Sequence, residues 1–187
     1  MSLLELQAVA CVRGGRLLFE GLDLALDPGG AALVTGPNGA GKSSLIRIAA
    51  GLLIAGGGTV ERGAPAALAD EGLALDPKLP LAAALAFWSR LDRSDPAGAM
   101  AAMGLTALAP IPVRMLSTGQ KKRAALARVL ASGAPLWLLD EPVNGLDSEG
   151  QARLEEAIAA HRAGGGAILA ASHQPLDLPG ATLVVLG

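Results

Sequence analysis

Tyrosine is absent from this chain of 187 residues, and phenylalanine and tryptophan occur twice each. With 51% hydrophobic residues but so few rings, the core must be built from Ala, Leu, Val and Ile. Cysteine occurs once, at Cys11, which excludes an internal disulfide and suits a reducing compartment. Cys11 itself reads as a small buried hydrophobe at a strand end. Neither sign of charge is in excess: 15 Lys and Arg face 17 Asp and Glu, a net charge of −2. That balance offers no electrostatic reason for a nucleic-acid or anionic-membrane partner. Long apolar runs are missing too. The longest candidate, residues 46–55, contains Arg47 and falls short of the roughly 20 residues that span a bilayer. The opening residues Met1-Ser2-Leu3-Leu4-Glu5 carry neither the basic flank nor the cleavage site of a signal peptide. The expectation is a soluble cytoplasmic protein, with membrane attachment through a partner left open.

Glycine and proline are plentiful, at 25 and 12 residues, and point to many short elements with tight connections. Residues 3–12 alternate loosely and residues 22–26 clearly, which predicts two strands joined near Arg13-Gly14-Gly15. Short apolar runs at 31–35, 136–140, 167–171 and 183–186 read as buried strands, and 59–62 as a further short one. Helical spacing covers 44–50, 81–91, 119–132 and 149–162. The Ala-rich, Pro-punctuated stretch 63–112 reads as an inserted helical subdomain. Buried strands alternating with helices predict an α/β fold with a mostly parallel sheet and flanking helices, its ligand at the strands' carboxyl ends. At this length a single domain over 1–187 is expected, with a core of about 1–62 and 133–187 and a helical insert of about 76–132.

The segment Gly36-Pro37-Asn38-Gly39-Ala40-Gly41-Lys42-Ser43-Ser44 fits the phosphate-loop pattern G-x-x-x-x-G-K-[S/T] between a predicted strand and a predicted helix. Such a loop presents free backbone N–H groups and the positive end of the helix dipole to an anion. Glycines at 36, 39 and 41 let the backbone curl around phosphate oxygens. Lys42 can reach the β- and γ-phosphates, and Ser43 offers a hydroxyl to Mg²⁺. The required metal-binding carboxylate is supplied where the apolar run 136–139 ends in Asp140. The neighbouring Glu141 could polarise a water for in-line attack on the γ-phosphate. A strand ending in capping acids is the plainer alternative for this pair.

Further along, Leu116-Ser117-Thr118-Gly119-Gln120 lies upstream of the acidic strand, and here the sequence resembles the ATP-binding-cassette (ABC) ATPases, whose signature is close to LSGGQ. Thr118 in place of the first glycine is the one difference. Ser117 and Gly119 open a helix and so form a second anion-binding terminus. The resemblance implies a P-loop NTPase domain with an N-terminal antiparallel β subdomain and a small helical insert. It also implies head-to-tail pairing of two copies, each ATP held between one copy's phosphate loop and the other's Ser117, Gly119 and Gln120. Asn144-Gly145-Leu146-Asp147 matches the family's D-loop, where Asp147 communicates across the dimer; an ordinary turn into a helix is the alternative reading. His173 occupies the switch-histidine position, able to bond the γ-phosphate and the attacking water. His161, in a polar helix, reads as a surface residue, and Lys121, Lys122 and Arg123 as a solvated face.

Two positions depart from the family. No aromatic residue stands where the adenine is usually stacked, leaving Arg13 as a guanidinium that could take that place. The glutamine that senses γ-phosphate and metal is replaced, by spacing, with Glu71, an acceptor that repels phosphate unless a metal intervenes, and a register shift of one would put Asp70 or Gly72 there instead. Within the superfamily the chain most resembles the ATP-binding subunits of bacterial cytochrome c maturation. The carrying residues are Ile111-Pro112-Val113 before the signature, residues 121–128 after it, and Ser172-His173-Gln174-Pro175-Leu176. The resemblance implies an ATPase at the cytoplasmic face of the inner membrane, held there by integral membrane subunits and powering release of haem-loaded chaperone. No Cys-x-x-Cys-His motif is present, so haem is expected to be handled by partners. The helical region 79–91 is the expected docking surface, with Phe87 and Trp88 flanking a groove; packing of the two rings within the insert is the alternative reading. Another small exporter ATPase, or an ATP-gated scaffold with little hydrolysis, are the alternatives.

Overall fold

The structure is a computed structural model that describes residues 1–92 and 94–187. Two sheets organise it. Strands β1 (Leu4–Arg13), β2 (Arg16–Leu26) and β4 (Gly57–Arg62) form an antiparallel sheet in the order β2-β1-β4. Strands β3 (Ala31–Thr35), β5 (Ala66–Ala69), β6 (Leu136–Asp140), β7 (Ala167–Ala171) and β8 (Thr182–Val185) form a parallel sheet in the order β5-β6-β7-β3-β8. The expected β1–β2 hairpin is present, with Arg13 paired to Arg16 at its tip.

The parallel sheet is covered on both faces, which is why its strands are near-continuous apolar runs. Side chains alternate along each strand. In β6, Leu136 and Leu138 join one apolar cluster while Trp137 and Leu139 join another. The first cluster contains Leu45, Ile46, Ile48 and Ala49 of helix α1 (Lys42–Ala49), packed between the two sheets against Leu4, Leu6 and Leu26. The second contains Leu126 and Val129 of α4 (Thr118–Ala131), Leu154 and Ile158 of α5 (Ser148–Ala163), and Leu81 and Leu85 of α2 (Leu81–Asp92). A short α3 (Pro96–Ala102) begins at Asp95, whose carboxylate accepts the Ala97 N–H. Cys11 is buried in the first cluster.

The end of α1 is held from the antiparallel sheet. Arg62 of β4 donates from Nε to the Ala49 carbonyl and from Nη2 to the Ile48 carbonyl, both at 2.6 Å. These carbonyls lie in the last turn of the helix, where a cation is favoured by the dipole.

The stretch 63–112 differs from its sequence reading. It contains β5, an edge strand of the parallel sheet in register with β6, Ala66 beside Leu136 and Ala69 beside Leu139. Its residues are Ala-Ala-Leu-Ala, which lack the β-branched side chains that signal a strand, and pairing with β6 sets its conformation. His161 is corrected as well: its ring lies 3.8 Å from the Trp137 ring at an interplanar angle of 10°. The helix α5 is polar by composition, yet this edge of it packs against the sheet. The edge of the imidazole also lies against Gly166, where a Cβ would come within 2.2 Å of it.

Candidate functional site: a phosphate loop and an acid at adjoining strand ends

Three adjacent strands, β6, β7 and β3, deliver the site. Their register puts Asp140 beside Ala171 and Ala171 beside Val34, so the segments that leave them emerge at one level. With neighbouring strands about 4.8 Å apart, the three ends fall within about 10 Å.

From β3 the chain enters the phosphate loop. Gly36 has φ 140°, and a Cβ there would stand 2.2 Å from the Leu186 carbonyl oxygen, so the close approach of the chain after β8 requires glycine. Gly41 is the N-cap of α1 with φ 105° and supplies no side-chain cap. The first turn of α1 therefore meets an anion with N–H groups that no capping side chain occupies. Lys42 is 7% exposed, and its ammonium donates to the carbonyls of Gly36 at 2.8 Å and Pro37 at 3.1 Å. The ammonium is thus carried back to the first two residues of the loop.

From β6 comes the acidic pair. Asp140 is buried, and its Oδ1 has no hydrogen-bond partner. Burial raises its pKa and the charge of Glu141 adds to this, opposed by hydrogen bonding from the Ser43 side chain and by the cations Arg47 and Lys122. A buried, unpaired carboxylate oxygen beside a serine hydroxyl is suited to a hard divalent cation. Among the described residues no group of three or more His, Cys, Asp or Glu side chains is placed to hold a metal. A donor set of one carboxylate and one hydroxyl matches Mg²⁺, which keeps waters and phosphate oxygens as its other ligands.

Glu141 has φ 48°, a left-handed conformation that costs a residue with a Cβ about 1–3 kcal/mol. Its N–H donates to the Ala171 carbonyl at 2.8 Å, which ties the strained residue to β7. From the end of β7, His173 meets it: Nδ1 lies 2.7 Å from Glu141 Oε2, and the His173 backbone N–H donates to the same oxygen at 3.2 Å. The two side chains are 17% and 49% exposed, so the pair borders solvent from which a water can enter.

The signature lies at the exposed N-terminus of α4. Ser117 and Gln120 form a reciprocal capping box: Ser117 Oγ accepts the Gln120 N–H at 3.2 Å, and Gln120 Oε1 accepts the Ser117 N–H at 2.9 Å. Within the chain the Gln120 side chain is therefore occupied in shaping this terminus. A Cβ on Gly119 would stand 3.0 Å from the Gly145 carbonyl oxygen, so the signature packs directly on the 144–147 turn. Asp147 caps α5, accepting the Gly150 N–H at 2.8 Å. Arg13 is exposed at the hairpin tip.

Glu71 stands across a cavity of about 260 Å³ from Glu141, with Asp70, Lys121, Lys122 and Asn144 on its walls. The structure does not gather it with Asp140 and Glu141 into a three-acid metal cluster. The expected solvated face of residues 121–123 is corrected here. Lys122 is half-buried and donates to the Asp140 carbonyl at 3.4 Å, and Arg123 donates from Nη1 to the Met103 carbonyl at 3.1 Å. A run of cations does not reveal which member turns inward, because that depends on the acids brought by β5 and β6.

Fold and site together define an ABC-type ATPase domain. Residues 19–144 match the ABC transporter family, and the chain belongs to it. It is similar to the cytochrome c biogenesis ATP-binding export protein CcmA of Sphingopyxis alaskensis, 58% identical over 188 residues that cover 99% of this chain and 97% of that protein. The protein of the same name from Novosphingobium aromaticivorans is 59% identical over 170 residues, 91% of this chain and 88% of that one. The solved structure of an ATP-binding subunit of an ABC transporter superposes with a TM-score of 0.83 at 22% identity, over 92% of this chain and 80% of that one.

Proposed function

We propose that this chain is the ATP-hydrolysing subunit of a membrane ABC complex in cytochrome c biogenesis, where it powers haem handling and the release of a haem-loaded chaperone. The observation that carries the enzymatic part is the Glu141–His173 contact of 2.7 Å at strand ends adjoining the phosphate loop. The cytochrome c part rests on near-full-length relatives that bear the CcmA name.

In this reading Lys42 and the backbone N–H groups of residues 38–44 bind the phosphates. Ser43 and Asp140 would hold Mg²⁺, which would supply charge neutralisation at the phosphates. Glu141 takes a proton from the attacking water. His173 holds Glu141 through Nδ1. A second copy contributes Ser117 and Gly119 from its own α4 terminus, because one chain carries two anion-binding helix ends for one nucleotide. Integral membrane subunits dock at the cavity of about 210 Å³ lined by Ala74, Asp76, Leu79, Ala84, Phe87 and Trp88 and keep the chain at the cytoplasmic face. None of the described helices is long and apolar enough to cross a membrane, so attachment falls to such partners.

The test is affinity isolation from native membranes, with haem absorption spectroscopy and ATP turnover of the recovered complex. Cytochrome c maturation subunits with ATP-dependent change in bound haem are expected. Recovery of lipid-export or peptide-export subunits alone would overturn the cytochrome c assignment.

A further inference from the structure

Arg128 lies in the second half of α4, where the helical insert meets the edge strand of the parallel sheet. Its Nη2 donates to the Leu68 carbonyl of β5, and its guanidinium carbon stands over the Trp88 ring, 5.1 Å from the centroid. Its Nε is buried with no hydrogen-bond partner among the described residues. A half-buried guanidinium held by so few groups makes each of them count for more. Trp88 is fixed in turn. Its Nε1 donates to the Ala74 carbonyl at 2.7 Å, and the Phe87 ring meets it edge to face with centroids 5.6 Å apart. Phe87, Trp88 and Ala74 all line the cavity of about 210 Å³, so Trp88 belongs to that cavity and to the seat of Arg128 at once. On the sheet side, Leu68 is paired with Leu138 of β6, two residues before Asp140. The other end of α4 is joined to the insert through the backbone: the Leu81 N–H donates to the Ile111 carbonyl at 2.9 Å, and the Val113 N–H to the Leu79 carbonyl at 3.0 Å. These bonds clasp the start of α2 to the segment that leads into Ser117. Insert and α4 thus share two attachments, and the one at Arg128 also reaches the sheet.

We infer that Arg128 is a positioning residue, the joint through which a partner seated at Phe87 and Trp88 acts on the sheet edge at Leu68 and, through β6, on its acidic end. The inference deepens the docking reading of that cavity and rests on it. The chemistry calls for arginine: a planar cation can lie on an indole face and still donate to a carbonyl from its edge, whereas an ammonium serves one of the two. A partner that shifts Trp88 therefore draws on a guanidinium that the Leu68 carbonyl retains.

The experiment measures ATP turnover by the full chain alone and in its membrane complex, with co-purification and thermal melting of each variant. In Arg128→Met the membrane subunits should still co-purify and the rate of the chain alone should stay within about twofold. Their stimulation of turnover should fall about three- to tenfold, a size within reach of one cation–π contact. Arg128→Lys, the milder change, should fall between wild type and Arg128→Met, and it carries the comparison if the methionine variant does not fold. Trp88→Phe keeps a ring under the cation and should retain most of the stimulation, whereas Trp88→Leu should lose as much as Arg128→Met. The double variant Arg128→Met/Trp88→Leu should lose no more than either change alone. Losses that multiply in the double variant, or full stimulation in the Arg128 variants, overturn the coupling. So does a lower melting temperature with a lower rate of the chain alone and an unchanged stimulation ratio, which marks a merely structural arginine. Failure of the docking reading looks different: Phe87→Ser and Trp88→Leu would both leave recovery and stimulation at wild-type levels, and the inference would fall with it.

Discussion

Glu141 and His173, 32 residues apart, share a 2.7 Å contact that closes the gap between the ends of β6 and β7. The geometry is enforced from both sides. Glu141 is held in a left-handed conformation by its N–H bond to Ala171, and the His173 backbone N–H donates to the same carboxylate that its ring engages.

Removing the base should separate binding from turnover. Glu141→Gln is expected to retain ATP and trap the closed dimer while hydrolysis falls about 10²- to 10⁴-fold, the usual contribution of a positioned general base. Phosphate-release assays beside equilibrium nucleotide binding check this. Hydrolysis at the wild-type rate would end the assignment of Glu141 as base.

Lys42 and Gly36 fail differently when changed. Lys42→Ala removes a charged donor, so ATP affinity should drop roughly 10- to 100-fold with the fold intact, in line with about 1.5–3 kcal/mol for a charge-assisted bond. Gly36→Ala drives a Cβ against the Leu186 carbonyl at φ 140° and should destabilise the fold by about 2 kcal/mol or more. Nucleotide titration and urea unfolding of both variants distinguish a lost ligand contact from a damaged loop.

His161 makes stability depend on pH. Burial lowers its pKa, only partly offset by backbone hydrogen bonding at Pro135 and Ala167. The unfolded chain protonates near pH 6.5 and the folded chain at a lower value. The stabilising contribution is therefore complete above about pH 6.5 and is lost as pH falls from there towards the folded pKa. His161→Phe keeps a ring on Trp137 but cannot titrate, so its melting temperature should fall less between pH 7 and pH 5 than the wild type's. Parallel melting curves would show that His161 is not the group responsible.

Phe87 is 52% exposed beside the 210 Å³ cavity, so Phe87→Ser should change stability by no more than about 0.5 kcal/mol. Its effect should appear in the complex: weaker co-purification with membrane subunits and loss of their stimulation of ATP turnover. Unchanged recovery of those subunits would move the docking surface elsewhere.

Much of this was legible before any coordinates. Runs such as Leu136-Trp137-Leu138-Leu139 announce burial on both faces, and the phosphate loop, Asp140, Glu141 and His173 follow from motif order. What remained hidden was set by neighbours distant in sequence. The strand state of Ala66–Ala69 depends on the edge of β6, and the inward turn of Lys122 on the acids around it. The burial of His161 depends on Trp137, which the composition of α5 does not reveal. The capping uses of Gln120 and Asp147 were partly masked by the motifs that contain them, since one side chain can shape a helix end and belong to a signature at once.

Arg62 couples the antiparallel sheet to the helix that follows the 36–44 loop. Because its guanidinium fastens β4 to the carbonyl end of α1, the hairpin that carries Arg13 and the helix that opens at Lys42 are two ends of one tethered arm. A tilt of the antiparallel sheet would therefore pull on the helix whose other end opens the 36–44 loop.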